Sequence, residues 1–515
     1  MNLNHATLIE PYVESNDSVG FIVTDRFGQI EDYPNEKWSA LKEREAAIFE
    51  SMVRGCKFWK LPSKPRFQDI KLDLTPPSNT RGPERKKAVR ENATELLTDI
   101  RNRIETNIRA FVHLSNEADY NVLSNFVICT YFIDQLPIGP LVIVDGVSGS
   151  GKSILLKVIS RLSYRGLLAG SYSEASLSTI VDTYHASLFL DESKIAFENR
   201  NRGQDIHEFI VNVCIKDQFR TRMDKNNNLR VTNLYTACMM ATRGIIFQDD
   251  VVNRAVIIHQ EVPDDSFDFE KHHVDRYEFD DPRCEARIIR SDLIALKVIT
   301  EANRFEDIKE ESPGIWIESW IEDSFREMMS KVKANSYNIN GIRVPPSIVS
   351  SRLRDIAEVY YTVGCLTGTS DEMLAMVLNN YRNVHEINES SPEVMAANAL
   401  LNKVREGVGR ISRTGTDPAD LLTPRECDIR DVSSRLCTRD IYQEYKAMCQ
   451  SDDRDGGLSS HGFTTALKTL GIRLVRGSQN KSFIDAGAPE YIEVFRRITE
   501  AYGYEENKRF FRRDC

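Results

Sequence analysis

The chain has 515 residues, 41% of them hydrophobic and 28% charged, with a formal net charge of −10. That length predicts about three units, one of them a mid-sized core, and the acidic balance excludes a nucleic-acid coat over the whole surface while leaving room for a local basic channel. No run approaches the roughly 18 apolar residues that cross a bilayer.

The opening MNLNHATLIEPYVESND has no basic region followed by an apolar stretch, so it does not read as a secretory signal. Ten cysteines are scattered with no CxxC pair, and Cys427 and Cys437 have no matching Cys/His pair at zinc spacing. Reduced thiols in a cytoplasmic protein are the expectation.

Residues 1–73 predict a small mixed domain, with a strand over FIVTD (21–25) and one helix from Trp38 to Val53. Pro, Gly, Ser and charge mark 74–89 as a linker. A helical collar or lead-in follows over 90–135, with Leu96, Ile100, Ile104, Ile108 and Phe111 three to four residues apart. Over 136–284 helices alternate with short apolar strands, at Leu141–Val144, Ser187–Leu190, Leu234–Ala241 and Ala255–His259. That alternation predicts an α/β class with a parallel sheet. The acidic stretch 263–283 reads as an exposed connection. Residues 285–409 read as helical, with Val349, Leu353, Ile356, Tyr360 and Val363 on one amphipathic face.

Over 410–515 a polar stretch leads into a compact ending. Thr438 can cap a helix carrying Ile441, Tyr445 and Met448. Ser459 or Ser460 can cap a second, carrying Phe463, Leu467 and Leu470 and stopped by Gly471. IRLVR and KSFID then flank a Gly-Ser-Gln-Asn turn. Helix, helix, hairpin is the outline of a winged helix.

The chemistry centres on GVSGSGKS, Gly146 to Ser153. Gly146, Gly149 and Gly151 give the backbone freedom to curl around phosphate oxygens, with Ser148 and Ser150 between them. Lys152 would reach the β- and γ-phosphates of ATP, and the Ser153 hydroxyl would ligate Mg²⁺. A strand before the loop and a helix after it complete the P-loop pattern, with helix N–H groups aimed at the anion. SLFLDES then ends an apolar strand in two acids: Asp191 to hold Mg²⁺ and Glu192 to polarise the attacking water. Thr242, ending LYTACMMAT, reads either as a water-orienting polar group or as a plain strand-end threonine. Arg254 reads either as a surface charge or as a cation reaching a neighbouring subunit's γ-phosphate.

Taken together, NVLSNFVICTYFIDQLPIGPLVIVDGVSGSGKS, SLSTIVDTYHASLFLDES and the spaced ATRG…VVNRAVII resemble the AAA+-like helicases of superfamily 3 and the helicase parts of phage and plasmid primase-helicases, over about 113–370. The resemblance implies an AAA+-like P-loop core and a helical lid, where SRLRDIAEVYYTVG would bring Arg352 or Arg354 near the phosphates. It also implies a ring, most often a hexamer, with ATP between subunits. Thr242 stands where many relatives have asparagine. Residues 1–110 are too short for a fused primase domain and carry no zinc ribbon, so any primase or polymerase would be a separate partner.

Residues 216–235 place Arg220, Arg222, Lys225 and Arg230 around Asn226–Asn228, and such turns favour hairpin tips. By residues alone this is either a solvated hairpin or a phosphate-contacting one. The resemblance implies a hairpin in the ring's pore that grips one DNA strand, with Lys225 at its tip and contacts that read no sequence. The winged helix offers Lys468, Arg473, Arg476 and Lys481 to DNA or to protein. The tail KRFFRR is read as a charged terminus, with nucleic-acid stacking as the alternative. The expected function is an ATP-dependent DNA helicase or translocase for replication of a mobile element or virus. A regulatory, loader or defence-switch ATPase of the same fold, and a winged-helix adaptor with structural nucleotide, are the rivals.

Overall fold

The computed structural model describes residues 5–14, 18–41, 43–191, 208–223, 229–242, 251, 254–262, 285–306, 309–333, 338–339, 342–343, 351–377, 395–404 and 435–451, with scattered positions from 460 to 498. The chain divides into two compact units, 1–381 and 382–515.

The first unit opens with an antiparallel sheet of β1 (Ala6–Val13), β2 (Val19–Asp25) and β3 (Ile30–Tyr33), with β2 central. The expected strand at 21–25 is the C-terminal part of β2. Phe21, Val23, Tyr33 and Phe49 bury a small core on one face. The helix expected from Trp38 to Val53 is instead two, α1 (Asn35–Ser39) and α2 (Glu43–Gly55). The reason is geometric. One straight helix would hold Trp38 and Phe49 about 16 Å apart, yet their rings lie 6.0 Å apart, both against Phe21. The Trp38 indole also donates to the Val19 carbonyl at 2.7 Å, so the chain must bend between them.

After α3 (Phe67–Leu74) comes α4 (Gly82–Arg109), which starts inside the stretch read as a linker. Pro83 sits in its first turn, where the missing N–H costs nothing. Its buried stripe is Val89, Ala93, Leu97, Ile100, Ile104 and Ile108. α5 (Glu117–Tyr131) is capped by Asn116, whose side chain accepts from the Ala118 N–H, and is buried from Val122 onward.

The central sheet alternates with helices: β4 (Leu141–Asp145), α6 (Lys152–Leu162), β5 (Leu167–Ala169), α7 (Glu174–Tyr184) and β6 (Leu188–Leu190). A hairpin of β7 (Phe219–Met223) and β8 (Leu229–Asn233) precedes β9 (Cys238–Thr242) and β10 (Ala255–His259). The five core strands are all parallel, in the order β10-β4-β9-β6-β5. β9 starts later than the predicted Leu234, because the backbone of Thr236 is drawn to the carbonyl of Val213. Helices Glu285–Ala302, Ile321–Lys333 and Ser351–Leu366 follow.

Charge ties the N-terminal sheet to this core. Buried Glu10 of β1 accepts from the Tyr164 hydroxyl at 2.5 Å and from Arg165 at 3.2 Å. Arg165 also donates to the carbonyls of Ile9 and Tyr184. Arg290, itself buried, bridges the carbonyls of Arg161 and Leu61.

In the second unit, residues 395–404 are helical and share one apolar core with Ile441, Tyr445, Phe463, Leu467 and Ile484. They therefore belong with the C-terminal part rather than with the helical region 285–409 in which the sequence grouped them. Helix Thr438–Ser451 and strands Arg435–Cys437, Val475–Arg476 and Ser482–Asp485 are present, the last strand central in an antiparallel three-stranded sheet. Among the described residues, no helix is long and apolar enough to cross a membrane, and no cluster of His, Cys, Asp and Glu is suited to a metal ion.

Candidate nucleotide site

Because the core strands are parallel, their C-terminal ends form one edge of the sheet, the usual ligand edge of such sheets. The 146–151 loop leaves β4 there and enters α6. Gly149 (φ 84°) and Gly151 (φ 93°) both take the left-handed conformation that favours glycine. Gly146 is constrained by space instead. A Cβ at this position would lie 2.2 Å from the carbonyl oxygen of Gln260.

Lys152 opens α6 and is largely buried. Its ammonium donates to the carbonyls of Gly146 and Val147, each at 2.6 Å. It lies 3.4 Å from the Ser150 hydroxyl, which is fully buried. Ser148 and Ser153 are exposed. The lysine is thus drawn back over the loop it belongs to.

The other strand ends meet this loop. Thr242 is the register partner of Asp145 across β9 and β4, and it is buried. β9 lies between β4 and β6, so Thr242 stands between the loop and the residue after β6, Asp191. Asp191 is half-buried, with its backbone N–H on the carbonyl of Ala169. Glu192 lies outside the described residues.

The sequence reading passed over two residues at this edge. Gln260 follows β10, donates its backbone N–H to the Asp145 carbonyl at 2.7 Å and its side-chain amide to the His113 carbonyl at 2.8 Å. It thereby walls the start of the loop. His259 sets Nδ1 3.9 Å from an Asp145 carboxylate oxygen. The signal was available: a polar pair after AVII parallels the one after SLFL.

Arg254 opens β10, at the opposite edge of the sheet. Five strand residues separate it from the loop level, about 16 Å, which is beyond its own reach. Its guanidinium donates to the carbonyl of Val211 at 3.3 Å. Arg354 is exposed, donates to Glu358 at 2.6 Å and stacks over Phe325 at 4.6 Å.

The predicted hairpin is present as β7–β8, in the register Phe219↔Asn233, Arg222↔Arg230, Met223↔Leu229. Arg220 forms an ion pair within the chain, to buried Glu174 at the start of α7. Glu174 also accepts from the Ser178 hydroxyl at 2.6 Å. Phe219, Thr221, Met223, Leu229, Val231 and Asn233 alternate along the two strands, and all are exposed. The side chains of Arg222, Arg230 and Arg476 lie outside the described residues, as do Lys225, Lys468, Arg473 and Lys481 entirely.

No protein-family model matches the chain, and no curated protein does. Among solved structures it is similar to SCCmec type IV Cch, described as an active helicase, at 12% identity over 95% of each chain and a TM-score of 0.34. It is also similar to the C-terminal region of NrS-1, at 11% identity over 92% of this chain and 95% of that one, with a TM-score of 0.29. The Aeropyrum pernix ORC1 protein in complex with DNA matches at 12% identity over 76% of this chain and 93% of that one, with a TM-score of 0.15. Of these three, the Cch protein is the one described as a helicase.

Proposed function

We propose that this chain is an ATP-driven DNA helicase or translocase that replicates a mobile element or virus in a bacterial cytoplasm, built on an AAA+-like P-loop core. The observation that carries this is the convergence of the Gly146–Ser153 loop, Asp191 and Thr242 on one edge of one parallel sheet. Nucleotide phosphates would lie in the loop. Lys152 exchanges its two loop carbonyls for phosphate oxygens, a stronger charge-assisted bond. The hydroxyl of Ser153 and the carboxylate of Asp191 are hard oxygen donors of the kind Mg²⁺ takes. Magnesium, when bound, neutralises charge on the phosphate oxygens.

Glu192 takes the proton of the attacking water, and Thr242 fixes that water's position. Arg254 serves a neighbouring subunit's nucleotide, which requires an oligomer, a ring of six being the form the resemblance suggests. Arg354 joins the phosphates from the helical lid. Lys225, with Arg222 and Arg230, draws one DNA strand along, and Lys468, Arg473, Arg476 and Lys481 of a winged helix add a second contact.

A second function has specific support. Arg220 is engaged by Glu174, and the exposed hairpin face carries no charge. Both favour a regulatory or loader ATPase whose hairpin does not hold DNA. The two are separated by ATPase rates with and without single-stranded DNA, and by strand separation on a forked duplex, for wild type, Lys152→Ala and Lys225→Ala. A helicase shows DNA-stimulated hydrolysis and unwinding that both substitutions abolish. Hydrolysis indifferent to DNA leaves the regulatory ATPase.

A further inference from the structure

Twelve large apolar side chains are exposed among the described residues, and four of them lie on β7–β8. Phe219 is 57% exposed, Met223 61%, Leu229 64% and Val231 51%. Side chains alternate across a strand, and the register sets Met223 beside Leu229, Thr221 beside Val231 and Phe219 beside Asn233. The four therefore share one face with Thr221 and Asn233, and that face contains no charged residue. At the base of the hairpin the other face is turned to the protein: Arg220 reaches Glu174, and its cross-strand partner Thr232 is buried. The backbone N–H of Asn233 is held by the Asp182 carboxylate of α7 at 2.9 Å, which fixes the hairpin against that helix.

We infer that this outer face of β7–β8 is a self-association surface, covered in the assembly by a second copy of this chain. The four side chains expose on the order of 400 Å², the size of the largest apolar patch on a typical monomer, a patch that is often functional. That is about half of the roughly 800 Å² each partner contributes to a stable interface. A mostly apolar face without charges, with Thr221 and Asn233 as its polar members, has the charge-depleted composition of an interface core. Nucleic acid fits this face poorly, because the face has no cation for a phosphate and only one ring, Phe219, on which a base could stack. The choice of a second copy also rests on the proposed ring, in which Arg254 needs a neighbour. A closed ring joins unlike surfaces, so in that assembly this face would meet a different part of the neighbouring copy.

The test is the mass of the full-length chain by light scattering, with a non-hydrolysable ATP analogue and Mg²⁺, across a concentration series. Thr221→Asp puts a charge at the centre of the face, at a position a monomer already exposes to water. The expected result is assembly of the wild type and a shift of at least ~10-fold in the assembling concentration for Thr221→Asp, with circular dichroism and thermal midpoint unchanged. Phe219→Ser/Val231→Ser should shift it further. Phe305→Ser, which removes an exposed apolar side chain away from the hairpin, should assemble as wild type does.

Three outcomes overturn the inference: Thr221→Asp with wild-type concentration dependence, a wild type that stays monomeric throughout, or a Thr221→Asp protein that assembles normally but loses single-stranded DNA binding. Should the double variant misfold, Thr221→Asp decides alone. A wild type that assembles through this face yet ignores DNA sinks the helicase proposal and leaves the surface standing.

Discussion

Asp145 and Thr242 are direct register partners across β4 and β9. The last residue before the phosphate loop and the last residue of the neighbouring strand therefore stand level. Thr242 is buried at that position, so its hydroxyl, if it orients water, does so from a fixed place. Thr242→Val keeps the shape and removes the hydroxyl. It should lower kcat by ~10- to 100-fold with nucleotide affinity nearly unchanged, and Thr242→Ser should restore most of the rate. Steady-state ATPase kinetics beside nucleotide titration measure both. Equal kcat for Thr242→Val and wild type would reduce Thr242 to a strand-end residue.

The loop glycines should separate by mechanism. Gly146→Ala places a methyl against the Gln260 carbonyl, and backbone must move. Gly149→Ala meets nothing within 4 Å and suffers only from its φ of 84°. Overpacking of this kind costs about 1–3 kcal/mol, and here it falls on backbone that cannot yield cheaply, whereas a single left-handed alanine costs about 1–2 kcal/mol. Thermal or urea unfolding should rank Gly146→Ala as the more damaged protein, with the larger loss of ATP affinity.

Arg254 lies about 16 Å below its own loop, so the nucleotide role proposed for it is one toward another subunit. Arg254→Ala and Lys152→Ala should each be nearly inactive alone. Mixed, they should regain a fraction of the wild-type ATPase rate, because some interfaces then pair an intact loop with an intact arginine. Mixtures as inactive as either parent would remove the intersubunit role.

Burial raises the Asp119 carboxyl to about 7, partly offset by the hydrogen bond from Asn116. In the unfolded chain the same group titrates near ~4. Between those values the folded state holds the proton more tightly, so stability falls as pH rises. The contribution is complete below about pH 4 and lost as pH climbs through about 7. Asp119→Asn should flatten this slope and be more stable than wild type, relative to acid conditions, at pH 8. Chemical unfolding at several pH values tests this, and so does the carboxyl ¹³C shift of Asp119.

Local elements were legible wherever one period dominated. The strands around Val142 and Ile257, the stripe on α4 and the loop at Gly146 follow from residues a few positions apart. The order of the sheet was not legible, because β9 reaches its place between β4 and β6 through pairings far apart in sequence. The bend after Trp38 was missed for the same reason, since Phe21 decides it from another element. In the hairpin the charges were weighed and the alternation was not. Phe219, Thr221, Met223 and Leu229, Val231, Asn233 already described one uncharged face, and only the Glu174 partner of Arg220 was hidden from the sequence.

The buried contact between Glu10 and Arg165 bears on how this chain can be dissected or recombined. Arg165 lies in the turn just after α6, the helix that starts at Lys152, and its counter-charge comes from the first strand of the chain. Grafting in place of residues 1–73 an unrelated head that covers Arg165 without offering a carboxylate would strip that guanidinium of its counter-charge while keeping it enclosed. An uncompensated buried charge of this kind costs about 3–5 kcal/mol, a large part of a domain's whole stability. The N-terminal sheet is therefore not an interchangeable module: a replacement head must bring an acid of its own to Arg165.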